Sequence, residues 1–531
     1  MNAPDATATP QFAGSATPMP SFVTSAPAIH VRARLAARWI GITAFLVYAI
    51  SGGGRIVGSD EVTMLELARA MLHGGIAVPV GATLDGPDGR HYTKNAAGQA
   101  VLALPLVAVA EVAEGRLPLP VARRVLAARC VVSFFNAAIT ALLLAVFYRF
   151  VRFMGVRARP ALAATVMLGF TTPVWAYAKS FMAEPLQALG LLFALEGGAR
   201  VANGEGRLGW IAALGVLIAV SVKFAMLPLA IVCLLPLARA RWTAWIAPAI
   251  GLAVALAGHA IYDVMRFGTP FETGYGRQAS AAAFTTPILT GLYGLLASSG
   301  KGVIWFAPAI LLAIPGAIAM RRAGAAEART ATAAIAAFAL AVLGYSMFEH
   351  WAGDGSFGPR YLVPLLPLVF VPVAFALNAR RALTRAAAVL LAIAGCAVAI
   401  GGVGIYFGAE MREVGDYPYT RALNDPLFMH ESHFVPARSP ILGHWRMLIR
   451  NAREHIAHRA PRLTTRGAVD PRTGLTPDDQ RALLHGLDFW WTYAPEVGVP
   501  LVPVAAALAL LLLLAAWAGL QMLAFVAEDA A

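Results

Sequence analysis

The chain has 531 residues, 59% of them hydrophobic and only 13% charged, and its mean hydropathy is +0.66; a soluble globular chain carries about 25% charge. That balance excludes a soluble enzyme, a disulfide scaffold, a coiled coil and a disordered chain, and indicates an all-α polytopic membrane protein. The net charge of +13 does not indicate a nucleic-acid partner, because most of the excess Arg sits in short clusters between apolar runs, the habit of cytoplasmic loops.

Residues 1–31 are rich in Ala, Pro, Thr and Ser and lack a basic region before an apolar run, so they read as a disordered cytoplasmic tail and not a signal peptide. Arg32, Arg34 and Arg38 hold the start of the first span, 36–50, inside. Further spans are expected near 122–148, 161–178, 184–200, 208–222, 224–238, 242–264, 302–320, 330–349, 361–378, 383–407 and 500–526, about twelve in all. With that count the clusters Arg149–Arg159, Arg200/Arg207, Arg239/Arg241, Arg321–Arg329 and Arg380–Arg385 all fall on the cytoplasmic side. The run 100–113 is too short to span and carries Pro105, Glu111 and Glu114, so it reads as an interfacial helix on the outer surface. Leu208–Leu237 is flanked by Arg207 and Arg239, which suits two short helices meeting near Lys223 at the outer face.

The expected organisation is a membrane domain over 32–407, with outer loop helices at 59–74 and 99–114. An extracytoplasmic domain over 408–498 and a final span over 499–531 follow. The 408–498 segment is polar, with six of the eleven His of the chain. Cys130, Cys233 and Cys396 lie far apart inside apolar runs, with no redox or metal spacing.

Four outer-side segments carry the candidate chemistry. The first begins Gly58-Ser59-Asp60-Glu61, where Val62, Leu65, Ala68 and Leu72 recur at helical spacing and Gly74 ends the run. Two carboxylates at a helix N-terminus suit the helix dipole and equally suit a reacting site. The second is His91-Tyr92-Thr93-Lys94-Asn95. The third is the set of lysines: Lys94, Lys179, Lys223 and Lys301 are the only ones in the chain. All fall on the outer side, where lipid phosphates are the available anions. The fourth is Ser356-Phe357-Gly358-Pro359-Arg360-Tyr361, where glycines let backbone approach a ligand and Arg360 suits phosphate or carboxylate.

These features resemble the GT-C superfamily. The Asp-Glu pair of the first outer loop, the Tyr-x-Lys segment opening an interfacial helix, and Lys223 between two short helices carry the likeness, which spans roughly 36–526. The nearest branch is the lipid-linked-sugar transferases related to protein O-mannosyltransferases and lipid A aminoarabinose transferase. The motifs Gly300-Lys301-Gly302 and Ser439-Pro440-Ile441-Leu442-Gly443-His444 are similar to those of bacterial members. One departure is Asn95-Ala96-Ala97, where relatives often have Pro-Pro after the lysine.

The resemblance implies a GT-C-type fold in a bacterial inner membrane, with both termini cytoplasmic. It implies transfer of a hexosyl or pentosyl group from a polyprenyl-phosphate carrier to a glycan, lipid or protein acceptor of the cell envelope, on the outer face. Asp60 is then the general base. An acceptor hydroxyl attacking an anomeric carbon needs a carboxylate to take its proton. The leaving phosphate is a weak base and needs positive charge, not a general acid. Lys94, Lys223, Lys301 and Arg360 are candidates for that charge, with Tyr92 beside Lys94 and Lys179 as a further amine. Glu61 either contacts substrate hydroxyls or supports its helix, and Glu184, beside Pro185, either contacts the donor sugar or caps a span. No cofactor is implied, and His430, His433 and His444 have no fixed metal-ligand spacing. Tyr275 and Arg277 are candidates for the acceptor side. The alternative is a transporter or flippase of a lipid-linked saccharide, which would place polar groups at mid-membrane and show internal repeats.

Overall fold

The computed structural model describes residues 26–79, 83–119, 121–353, 355–379, 381–409, 432–464, 466–470 and 475–530. The chain begins with α1 (Ala26–Ile50), α2 (Ser59–Leu72), a short antiparallel hairpin of β1 (Thr83–Asp85) and β2 (His91–Thr93), and α3 (Gly98–Arg116). Then come α4 (Val121–Ser133), α5 (Phe135–Phe153), α6 (Ala158–Phe170), α7 (Val174–Ala178), α8 (Glu184–Ala202), α9 (Gly209–Val222), α10 (Leu227–Cys233) and α11 (Ile246–Phe267). They are followed by α12 (Ile288–Leu296), α13 (Val303–Phe306), α14 (Ala313–Ala323), α15 (Ala325–Met347), α16 (Leu366–Asn378) and α17 (Ala382–Gly404). Last are α18 (Pro440–Ile456), α19 (Pro477–His485), α20 (Trp490–Tyr493) and α21 (Leu501–Ala530).

Among the described residues eight helices are long and apolar enough to cross a bilayer: Val31–Ile50, Gly98–Arg116, Arg123–Phe153, Trp242–Phe267, Ala325–Met347, Arg360–Asn378, Ala382–Gly404 and Leu501–Ala530. Ala158–Phe170, Gly206–Val222 and Phe224–Cys233 are apolar but shorter. The protein is therefore an all-α polytopic membrane protein, but its described helices do not make twelve unbroken spans. The expected span 302–320 is broken because Pro308 has no N–H and pushes Ala307 out of helical geometry, to φ −142°. Pro173 divides the expected span 161–178 between α6 and α7. The run expected as a 100–113 interfacial helix continues at both ends into the 19 residues of α3, long enough by itself to span. Residues 26–31 of the expected tail continue α1, and residues 1–25 lie outside the described set.

Lipid offers no hydrophobic drive between helices, so small residues that let backbones approach determine the packing. A Cβ on Gly197 of α8 would stand 2.2 Å from the Ala212 nitrogen of α9, and one on Gly190 would stand 2.6 Å from the Ala219 nitrogen. Those two pairings run α8 and α9 antiparallel. The chain returns after Lys223, since Leu234 lies beside Gly198 at the far end of α8. Gly251 against Ala213 and His259 Nε2 at 2.8 Å from the Val220 carbonyl then carry α11 back toward Lys223. Lys223 stands at that turn. Trp39 of α1 packs edge-on against Trp517 of α21, which wraps the outside of the bundle.

The two ends of the bundle differ in chemistry. At one end Glu196, fully buried, accepts from Arg149 at 2.9 Å and from Arg200 at 2.8 Å. There too Asp529, near the end of α21, accepts from Arg152 at 2.6 Å and from the Tyr148 hydroxyl at 2.7 Å. The other end carries Asp60, Glu184, Lys223 and the close of α17. It is bound to the C-terminal helices by Asp488, whose carboxylate takes Arg55 on both oxygens and Lys179 at 2.9 Å. A separate apolar cluster of Val57, Ile405, Tyr406, Met447, Leu475 and Tyr493 seals that junction.

Candidate active site

The start of α2 is fixed by the second of its two carboxylates. Glu61 reaches back to accept from the Gly58 N–H at 2.9 Å, satisfying a donor that the helix start leaves free. Its other oxygen accepts from the Phe181 N–H at 2.5 Å. Glu61 is 4% exposed, and burial pushes its carboxyl above the usual range although those N–H groups oppose it. Asp60, one position earlier and about 100° around the helix, faces the other way, into a cavity of about 620 Å³.

Around Asp60 the cavity wall is cationic. Lys94, Lys223 and Arg360 all line it. Arg360 places both terminal nitrogens 3.3 Å from the Asp60 Oδ2, while its Nε donates to Glu184 Oε1 at 2.5 Å. Glu184 is buried, so the arginine is anchored from behind and offers its outer edge to the cavity. Burial alone would raise the Asp60 carboxyl, but Arg360, then Lys94 and Lys223, outweigh it and hold the group below the usual carboxylate range. Asp60 is thus ionised at neutral pH. Aromatic rings complete this part of the wall: Tyr345 and Tyr361 stack at 4.3 Å, with the Lys223 Nζ 5.0 Å from the Tyr361 centroid. Lys94 Nζ stands 5.6 Å from the Tyr275 ring centre. Pro228, Leu229, Leu340 and Ala341 also line the cavity and give it an apolar arm between α10 and α15.

Asp60, Lys94, Lys223 and Arg360 are thus brought together, with Glu184 behind them. The other candidates are placed elsewhere. Lys179 donates to the Val403 carbonyl at 2.5 Å, the Asp488 carbonyl at 2.6 Å and the Asp488 carboxylate, inside the junction with the C-terminal helices. Lys301 donates to the Ser356 carbonyl at 2.9 Å and bears on the loop leading to Arg360, not on the cavity. Tyr92 is buried with its hydroxyl on Asp88 at 2.6 Å, so it shapes the hairpin before Lys94. Tyr275 lines the cavity, whereas Arg277 is exposed and pairs with Glu349 at 3.2 Å.

Sequence reading passed over His259, Asp263 and Arg266, which line the cavity from α11. Their i, i+4, i+7 spacing at the end of an apolar span is a polar stripe, and that signal was available. Arg266 pairs with Asp263 and donates to the Thr93 carbonyl, tying α11 to the residue before Lys94. Among the described residues no group of three or more His, Cys, Asp or Glu side chains is gathered to hold a metal ion, and His430 lies outside them.

No family model and no curated protein matches the sequence. Among solved structures the chain is similar to ArnT from Cupriavidus metallidurans bound to undecaprenyl phosphate, at 14% identity and TM-score 0.47, over 85% of this chain and 84% of that one. It is also similar to the same protein in the apo state, at 15% identity and TM-score 0.43, over 88% of each chain.

Proposed function

We propose that the protein is a membrane glycosyltransferase that moves a sugar from a polyprenyl-phosphate carrier to a cell-envelope acceptor. One observation carries the reading: a cavity-facing carboxylate, Asp60, stands among Lys94, Lys223 and Arg360 beside an apolar arm, while the other carboxylate of the cavity wall, Asp263, is paired with Arg266 on its own helix. The cations would hold the donor phosphate and the arm its first isoprene units. An acceptor hydroxyl then attacks the anomeric carbon. The carbon–oxygen bond to phosphate breaks, the electron pair leaves with the phosphate, and Asp60 takes the hydroxyl proton. Arg360 and the lysines suppress the basicity of Asp60 in the empty site; a donor phosphate that engages them returns proton affinity to the carboxylate when it is needed. In this reading the cavity faces outward; the gathering of Arg149, Arg152 and Arg200 at the opposite end supports it, since cytoplasmic ends carry the excess of Arg and Lys.

The test compares wild type with Asp60→Asn, reconstituted with a panel of polyprenyl-phosphate sugars and acceptors. Carrier phosphate released is the readout, with thermal stability as the control. The variant is expected to keep its melting temperature and lose roughly 10²- to 10⁴-fold in rate. Full activity in the variant removes Asp60 as base. A wild type that consumes no donor from a broad panel, yet moves lipid-linked saccharide between leaflets, favours the flippase.

A further inference from the structure

The motif Ser439-Pro440-Ile441-Leu442-Gly443-His444 plays no part in the proposed chemistry, and the structure gives it another role. It starts α18. Ser439 caps the helix by accepting from the Ile441 N–H at 3.3 Å and anchors it by donating to the Ser299 carbonyl at 2.6 Å. Gly443, His444, Met447 and Asn451 face inward and are buried. Trp445 reaches down α17, a membrane-spanning helix, to donate to the Ala397 carbonyl at 3.0 Å, while Leu448 packs against Gly404 at its end. The residues of α18 left exposed are Leu442, Arg446, Ile449, Arg453 and Ile456. Their spacing of four and three puts all five in one stripe, with the three aliphatic side chains 51%, 46% and 81% exposed.

We propose that this stripe is a lipid-binding surface, with α18 lying in the headgroup region of an anionic leaflet. Two arguments identify the occupant. Trp445 makes the stripe continuous with the lipid-facing side of α17, where Ile393 and Ile400 are exposed. The apolar residues alternate with arginines, so Leu442, Ile449 and Ile456 enter the acyl boundary while Arg446 and Arg453 meet lipid phosphates. The contact has a consequence for the cavity. His444, on the inner face of α18, stacks on Phe357 at 5.3 Å, and Phe357 lies three residues before Arg360. The lipid surface thus holds the helix against which the Arg360 loop is packed.

The test places a spin label at Leu442→Cys, Ile449→Cys or Ile456→Cys in the full chain. The control is Arg462→Cys, exposed in the following loop, and the unsubstituted protein gives the background of Cys130, Cys233 and Cys396. Each is reconstituted in phosphatidylcholine vesicles with and without phosphatidylglycerol, and collision with oxygen is compared with collision with a water-soluble nickel chelate. Oxygen should dominate at 442, 449 and 456 and the chelate at 462. Adding phosphatidylglycerol should increase the oxygen preference, and Arg446→Gln with Arg453→Gln should abolish that increase. Chelate dominance along the stripe overturns the lipid surface. An unchanged response in the double variant overturns the role of the arginines.

Discussion

Replacing Asp488 by Asn tests the placement of Lys179 away from the cavity. The Asp488 side chain is 1% exposed and faces two cations, Arg55 and Lys179, whose side chains are 13% and 5% exposed. Breaking a buried pair by removing one partner costs about 3–5 kcal/mol, because the remaining charge stays buried and unpaired. The titration gives a similar scale. Burial would raise this carboxyl, but Arg55 and Lys179 hold it down to about 2. Against an unfolded value near 3.9, that is about 2–3 kcal/mol of stability at neutral pH. The sign is fixed: the folded carboxylate ionises at lower pH than the unfolded one, so the contribution is full above about pH 4 and is lost as pH falls toward 2. With about 2 cal/mol/K of unfolding entropy per residue, a loss of 3–5 kcal/mol lowers the melting temperature of a chain of this length by roughly 3–5 °C. The assay is thermal unfolding in detergent at pH 7 and at pH 3, with donor binding to the folded fraction measured in parallel. Asp488→Asn should melt lower at pH 7, with the gap to wild type narrowing at pH 3. Replacing Asp488, Arg55 and Lys179 together by apolar residues should recover part of the loss, since no charge is then stranded. Equal melting of Asp488→Asn and wild type at pH 7 would refute the reasoning.

The lysines should divide into two pairs. Lys94→Ala or Lys223→Ala should raise donor KM roughly 10- to 100-fold at nearly constant melting temperature, the scale of one charge-assisted contact. Lys179→Ala and Lys301→Ala should instead lower the melting temperature, because their partners are Asp488 and Ser356; a donor KM effect as large as that of Lys94 would move them back to the site. The pH profile should split as well. The acid limb of kcat/KM reports free enzyme, where Arg360, Lys94 and Lys223 keep Asp60 below the usual carboxylate range. The acid limb of kcat reports the donor complex, where phosphate has engaged those cations, so it should lie at higher pH. Coincident limbs would mean that the donor does not draw the cations from Asp60.

Charge at the edge of an apolar run made much of the site legible. Asp60, Lys223 and Arg360 each stand where a hydrophobic pattern starts or stops, and a charge there needs a reason. What the sequence cannot show is which way a side chain turns once a helix forms. Asp60 and Glu61 are adjacent and chemically alike, yet their orientation depends on the Phe181 N–H, 120 residues away. Lys179 is another case: its partners, Val403 and Asp488, lie 224 and 309 residues along the chain. The same limit applies to the spans. Hydropathy averages over Pro308 and Pro173 and reads through them, whereas the backbone breaks where proline removes an N–H.

These placements share a logic. The proposed base and its counter-ion are each held by a second carboxylate that never enters the cavity. Glu61 ties the first turn of α2 to Phe181, and Glu184, three residues later, holds Arg360 by its Nε. The Phe181 N–H and the Glu184 carboxylate both belong to the segment 181–184, so Asp60 and Arg360 are set from one short stretch of chain at the start of α8. A buried carboxylate here costs desolvation, and each is offset by hydrogen bonds that fix a geometry. The longer 3.3 Å approach between Arg360 and Asp60 is the part left adjustable. It sits where a donor phosphate would have to enter, while the 2.5 Å contact to Glu184 keeps the guanidinium in place as its outer edge changes partner.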